Sequence, residues 1–71
     1  MSMIKIKDEY IKLGQAMKLA GMVSSGIEAK IVIKDGEVTV NGDVELQRGK
    51  KLYNGDVVSY HGETITIEQC R

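Results

Sequence analysis

The chain has 71 residues, ten basic and ten acidic, so its formal net charge is zero, and 42% of its residues are hydrophobic. We expect a single domain, residues 1–71, that buries only about 60% of its unfolded surface, which disfavours a deep catalytic cleft. No apolar run approaches the roughly 20 residues that span a bilayer, and the start MSMIKIKDEY lacks the apolar segment of a signal peptide. Cys70 is the only cysteine, so no internal disulfide is possible, and a cytoplasmic location is expected.

The first third of the sequence predicts a strand and a helix. Ile4 and Ile6 alternate with lysines, the period-2 pattern of a short strand with one buried side. Asp8 is the predicted N-cap of a helix that runs to about Ala20, and Gly21 suits the left-handed position that ends such a helix. Four residues recur at helical spacing and form the predicted core-facing stripe: Tyr10, Leu13, Met17 and Ala20.

A second, shorter helix is predicted to follow. Ser25 and Glu28 have the S-x-x-E spacing of a capping box, and Asp35-Gly36 closes the helix that they open. Its predicted buried face consists of Ala29, Val32 and Ile33.

The second half of the chain has strand periodicity interrupted by turn signals. Val38 and Val40 alternate with polar residues, and Asn41-Gly42 is a strong hairpin signal. Further turns are predicted at Asn54-Gly55-Asp56 and His61-Gly62. After them, Ile65 and Ile67 alternate with threonines. The predicted order is β-α-α-β-β-β-β, and the fold class is α+β.

The charges are sorted along the chain although they cancel in total. From residue 10 to residue 34 there are four lysines and one acid, and from 35 to 45 there are four acids and no base. Residues 48–51 are basic again through Arg48, Lys50 and Lys51. A neutral total can therefore conceal a basic face, and the local field is what steers a partner. On spacing alone, this cluster is either an anion-binding surface or a solvated loop.

The sequence does not predict an enzyme, a cofactor or a metal site. His61 is the only histidine and precedes a turn glycine, so it is interpreted as a turn residue. Gly49-Lys50 resembles the end of a phosphate-binding P-loop, but Val44 stands where the first glycine would be and Lys51 replaces the required Ser or Thr. The ligands of a zinc site are missing.

Binding to structured nucleic acid is favoured over recognition of splayed bases. The only aromatic residues are Tyr10, Tyr53 and Tyr60, and Tyr10 is predicted to lie in the core, which disfavours base stacking. Lysines and one arginine on a rigid frame suit phosphate contacts and recognition of RNA shape.

Several sequence blocks resemble the RNA-binding domain of ribosomal protein S-four type, in particular its small stand-alone bacterial members. The blocks cover roughly residues 8–60, and their order and spacing are more specific than any one of them: Leu13-Gly14-Gln15, Lys18-Leu19-Ala20-Gly21, Ser25-Gly26, Ala29-Lys30, Val40-Asn41-Gly42 and RGKKLYNGD. The resemblance implies two short helices packed on a small curved, mostly antiparallel sheet. It also implies binding to structured RNA, often ribosomal or transfer RNA, and a possible association with the ribosome.

The resemblance places the RNA contacts on a basic helical face and on the 48–51 loop. The implied contact residues are Lys12, Lys18, Lys30, Arg48, Lys50 and Lys51. Two positions depart from the wider family pattern. Gly26 stands where a Ser-Arg pair would place an arginine, and Gly14 replaces the aspartate of Arg-Leu-Asp.

Two alternatives to RNA binding exist. The VNG and GD-V segments also resemble β-grasp sulfur carriers, but those act through a C-terminal Gly-Gly, whereas this chain ends Gln69-Cys70-Arg71. The carrier interpretation is therefore rejected. The other alternative, a small protein-interaction module that uses a sheet edge or Ile27 and Ile31, stays open.

Overall fold

The computed structural model describes residues 2–70 as seven strands and two helices. The elements in chain order are β1 (Ser2–Ile6), β2 (Ile11–Lys12), α1 (Leu13–Leu19), α2 (Gly26–Lys34), β3 (Val38–Val40), β4 (Asp43–Val44), β5 (Lys51–Leu52), β6 (Val57–Tyr60) and β7 (Glu63–Gln69). Among the helices of residues 2–70, none is long and apolar enough to cross a membrane.

Five of the strands form one sheet in the order β1-β7-β6-β3-β4. The outer strand β1 runs parallel to β7, and the other neighbours are antiparallel. The remaining strands, β2 and β5, pair antiparallel as a separate two-stranded ribbon. The α+β class with a mostly antiparallel sheet is as predicted, whereas the ribbon was not predicted.

Two tight turns have the backbone geometry that their sequences predict. Asn41 and Gly42 join β3 to β4 with φ of 53° and 89°, and His61 and Gly62 join β6 to β7 with φ of 48° and 81°. Two consecutive residues at positive φ match the right-handed twist of a hairpin, and Asn-Gly is the pair that adopts them most readily. His61 is therefore a turn residue, as predicted, and its imidazole pairs with the carboxylate of Glu37.

The core lies between the two helices and the sheet. The predicted buried face of α2, formed by Ala29, Val32 and Ile33, is confirmed. From α1, Leu13 and Met17 are fully buried. The sheet contributes Val38, Val40, Val58, Ile65 and Ile67 to the same cluster. Alternation along each strand thus directs one face to the helices and the other to solvent.

The first helix begins four residues later than predicted. Asp8 lies in a bend, and α1 starts at Leu13 after Lys12, whose side chain makes no capping hydrogen bond. Ile11 and Lys12 instead pair with Leu52 and Lys51 in the ribbon. Strand pairing is favoured over helix at these residues because it buries Ile11 and Leu52, which are 7% and 0% exposed.

The second helix has the cap that its sequence predicts. The Ser25 hydroxyl accepts a hydrogen bond from the backbone N–H of Glu28 at 3.2 Å. The Glu28 carboxylate accepts from the backbone N–H of Ser24 at 2.7 Å, rather than from Ser25 as in the usual capping box. The backbone N–H of Ser24 and, to a smaller extent, its hydroxyl donate to the Glu28 carboxylate and lower the pKa of Glu28. Glu28 therefore stabilises the fold above its ordinary pKa of about 4.3, and this contribution is lost as the pH falls through its lowered pKa.

Replacing the cap is expected to destabilise the domain measurably. Ser25→Ala should cost about 1 kcal/mol of unfolding free energy and lower the thermal midpoint by about 4–8 °C. Ser25→Gly is the matched control, because glycine at an N-cap costs only a few tenths of a kcal/mol. Thermal unfolding followed by circular dichroism measures both variants. Equal midpoints for Ser25→Ala and the unsubstituted chain would show that the cap does not contribute.

Candidate nucleic-acid interface

The backbone of the basic loop is docked on the first turn of α1. The N–H of Leu13 donates to the carbonyl of Lys50 at 2.8 Å, and the N–H of Gly14 donates to the carbonyl of Arg48 at 3.1 Å. First-turn N–H groups have no partner within their own helix, so the loop satisfies two of them. The 48–50 segment is thereby tied to the helix frame, unlike a freely solvated loop.

Arg48 extends from this loop across α1 to the beginning of α2. A Cβ at Gly14 would lie 2.6 Å from Cγ and 3.1 Å from Cδ of Arg48, so only glycine leaves room for the arginine stem in this position. The guanidinium Nη1 donates to the carbonyl of Gly26 at 3.3 Å. Arg48 therefore links the basic loop and both helices. Gly26 itself has no positive φ, being the first residue of α2.

An open cavity of about 320 Å³ lies at the junction of the loop and the two helices, and we call it the basic cleft. Its lining contains three cationic side chains and no carboxylate. The lining residues are Lys12, Gly14, Gln15, Lys18, Gly26, Arg48 and Gly49. Three of the six predicted contact residues, far apart in sequence, thus come together around one cavity.

The cations of the basic cleft are free of acidic partners. In the part of the chain that the structure describes, the single pair between a carboxylate and a basic side chain joins Glu37 and His61, neither of which lines the cleft. Lys12, Lys18 and Arg48 are all exposed. Their field is therefore directed at solvent, where an anion could meet it.

The other three predicted residues lie outside the basic cleft. Lys50 and Lys51 line a separate cavity of about 260 Å³ that also contains Asp43, Glu45 and Asp56, so their surroundings are mixed in charge. Lys30 is exposed on α2, one helical turn after Gly26, and does not line either cavity. Lys51 pairs directly with Lys12 in the register of the β2–β5 ribbon, which places two like charges opposite each other.

The prediction that Tyr10 belongs to the core is wrong. Its side chain is 36% exposed, and its ring centroid is 6.0 Å from that of Tyr53, which is 44% exposed. The Lys51 ammonium lies 4.8 Å from the centroid of the Tyr10 ring, a cation–π contact. Tyr10 leaves the predicted helical stripe because α1 begins only at Leu13. Exposed aromatic residues therefore stand beside the basic residues.

Two exposed apolar residues of α2 do not line the basic cleft. Ile27 and Ile31, which the protein-interaction alternative invoked, are 73% and 56% exposed on the outer side of α2. Within residues 2–70, no group of three or more His, Cys, Asp or Glu side chains is placed to hold a metal ion.

The contact between Gly14 and Arg48 can be tested without removing a charge. Gly14→Ala should displace the Arg48 stem and break its bond to Gly26, because the new Cβ would overlap Cγ. The unfolding free energy should change by less than about 1 kcal/mol, since alanine's higher helix propensity offsets the lost packing. The Arg48 Nε–Hε resonance in an NMR spectrum should shift.

Gly49→Ala is the matched control, because a Cβ there meets no atom within 4 Å and φ is not positive. It should leave the Arg48 side-chain resonance in place. Identical Arg48 resonances in Gly14→Ala and the unsubstituted chain would contradict the contact.

Sequence comparison gives a family match and two informative relatives. The family model described as S4 domain matches residues 4–68. The protein named "Probable ribosome maturation protein RlbA" of Bacillus subtilis (strain 168) is 48% identical over 59 residues, 83% of this chain and 83% of that protein. The protein named "Putative RNA-binding protein YbcJ" of Escherichia coli (strain K12) is 36% identical over 61 residues, 86% of this chain and 87% of that protein. Neither name describes an enzymatic activity.

A solved structure supports the same assignment. The solution structure of YbcJ from E. coli matches with a TM-score of 0.74 and 33% identity, covering 96% of this chain and 87% of that chain. It is described as revealing an alfaL motif involved in RNA binding. The match confirms the predicted α+β fold, and together with the family it confirms the prediction of a non-enzymatic domain. The chain belongs to the S4 domain family, as its sequence blocks indicated.

Proposed function

We propose that this protein binds structured RNA through the basic cleft, with Lys30, Lys50 and Lys51 contacting phosphates at its borders. The observation that carries the proposal is the convergence of Lys12, Lys18 and Arg48 around one cavity that contains no carboxylate. A phosphate entering the cleft would meet three positive charges, none of which is paired with a carboxylate.

The like-charge pair in the ribbon supports this proposal. Lys12 and Lys51 are directly opposite each other in the β2–β5 register, an arrangement that costs stability in a sheet. Such a cost is expected where the charges serve a ligand, because bound anions offset the repulsion between them. A polyanion is the ligand that fits several such cations at once.

The names of the relatives narrow the class of RNA. One relative is named as an RNA-binding protein and another as a ribosome maturation protein. Ribosomal RNA is therefore the first candidate ligand and transfer RNA the second, with the protein acting in the cytoplasm in association with the ribosome or its precursors. Arg48 and the lysines would hold the RNA by its backbone and shape, since phosphate contacts position a nucleic acid without reading its sequence.

Salt dependence distinguishes RNA binding from the protein-interaction alternative. An interface built on Ile27 and Ile31 would be apolar and would weaken little as salt rises, whereas phosphate contacts release counterions. With about four to six phosphate contacts, the slope of log affinity against log salt should be about −3 to −5.

Neutralising the basic cleft should weaken RNA binding and flatten this slope. The variant Lys12→Gln/Lys18→Gln/Arg48→Gln should shift the slope by about 2–3 units towards zero, close to one unit for each lost contact. Fluorescence anisotropy with a labelled hairpin of ribosomal RNA and with transfer RNA, at several salt concentrations, measures the effect.

The matched control carries the same change in net charge away from the cleft. Lys5→Gln/Lys7→Gln/Lys34→Gln alters three exposed lysines that line neither cavity of the interface. It should retain most of the affinity and nearly all of the slope. If both triple variants lose binding equally, the attraction comes from overall charge and the basic cleft is not the site.

A further inference from the structure

A second cavity adjoins the basic cleft, and an aromatic ring forms part of its wall. It has a volume of about 450 Å³ and is lined by Asp8, Tyr10, Ile11, Lys12 and Gln15; we call it the Tyr10 cavity. It shares Lys12 and Gln15 with the basic cleft, so the two cavities are neighbours on one surface. Its volume falls within the roughly 300–1,000 Å³ of typical small-ligand sites.

The Tyr10 ring is held in place from outside the cavity. Lys51, whose ammonium lies over the ring, and Tyr53, whose ring packs beside it, do not line the Tyr10 cavity. Tyr10 thus has two side-chain partners outside the cavity that it lines. A ring that is already fixed loses little conformational entropy when a second planar group stacks on it.

The other lining groups complement a nucleotide. The Asp8 carboxylate can accept a hydrogen bond from an exocyclic amino group of a base, and the Gln15 amide can both donate and accept. Lys12 stands at the border with the basic cleft, where a phosphate of the same nucleotide would be contacted. A planar aromatic surface, polar edge groups and a cation within one cavity are the elements with which proteins hold unpaired bases.

We propose that the Tyr10 cavity receives one unpaired nucleotide of the bound RNA, with its base stacked on Tyr10 and its phosphate contacted by Lys12. This inference rests on the proposed function and adds to it a preference for RNA that contains a bulged or looped-out base. The basic cleft would contact the phosphates of the RNA stem beside the bulge, and the Tyr10 cavity would bind the unpaired base.

The test compares three RNA hairpins with the same stem: a fully paired stem, a stem with one bulged adenosine, and a stem with an abasic residue at the bulge. The protein should bind the adenosine bulge about 5- to 150-fold more tightly than the abasic bulge, the range expected for one stacked base. With 2-aminopurine as the bulged base, binding should quench its fluorescence. Tyr10→Leu should abolish both effects, whereas Tyr10→Phe should retain them.

The outcomes separate this inference from the proposed function. Salt-dependent binding of all three hairpins with equal affinity would overturn the nucleotide site and leave the basic cleft intact. A preference for the adenosine bulge that survives in a folded Tyr10→Leu variant would also overturn it. If Tyr10→Leu does not fold, the affinities of the unsubstituted chain for the adenosine and abasic bulges still test whether an unpaired base is bound. Absent or salt-independent binding of every hairpin would contradict both proposals.

Discussion

The docking of the 48–50 backbone on the first turn of α1 is the constraint on which the rest of the interface depends. Two hydrogen bonds from Leu13 and Gly14 fix the loop, and the ribbon pairing of Ile11 with Leu52 continues the same attachment. Without this attachment the basic loop and the helices would be separate, solvated groups of charges. With it, the cations of β2, α1 and the 48–50 loop are held in fixed positions relative to one another, so little ordering is required when an anion binds.

Of the two glycines that depart from the wider family pattern, Gly14 is explained by its contact with Arg48. Gly14 gives the arginine stem room to cross α1, and the carbonyl of Gly26 accepts its guanidinium. The family pattern would have an arginine side chain at position 26 itself. In this chain the loop supplies a guanidinium to the same helix start, 3.8 Å from where a Cβ of Gly26 would be. A guanidinium thus lies at the start of α2 although position 26 is a glycine.

Features fixed by local chemistry were predictable from the sequence, and features fixed by distant pairing were not. The turn at Asn41-Gly42 and the cap at Ser25 depend on residues within a few positions, so their patterns sufficed. The ribbon consists of two-residue strands, which have no periodicity to detect, and it joins segments from opposite halves of the chain. Because the ribbon was not predicted, the predicted first helix began too early and Tyr10 was wrongly predicted to be buried. The sequence shows that residues 48–51 are basic. That Arg48 lies close to Lys12 and Lys18 could be seen only in the structure.

An NMR titration of the ¹⁵N-labelled protein with a ribosomal RNA hairpin that carries one bulged adenosine tests most directly where the RNA binds. If the RNA occupies the basic cleft and its base enters the Tyr10 cavity, the largest amide shifts fall in residues 8–18, 26–30 and 48–51, and they diminish as salt is raised. Shifts concentrated instead at the turn of His61 and Gly62 and along β1, with the basic cleft unperturbed, would contradict the claim that the docked loop and the two helices form the RNA-binding surface.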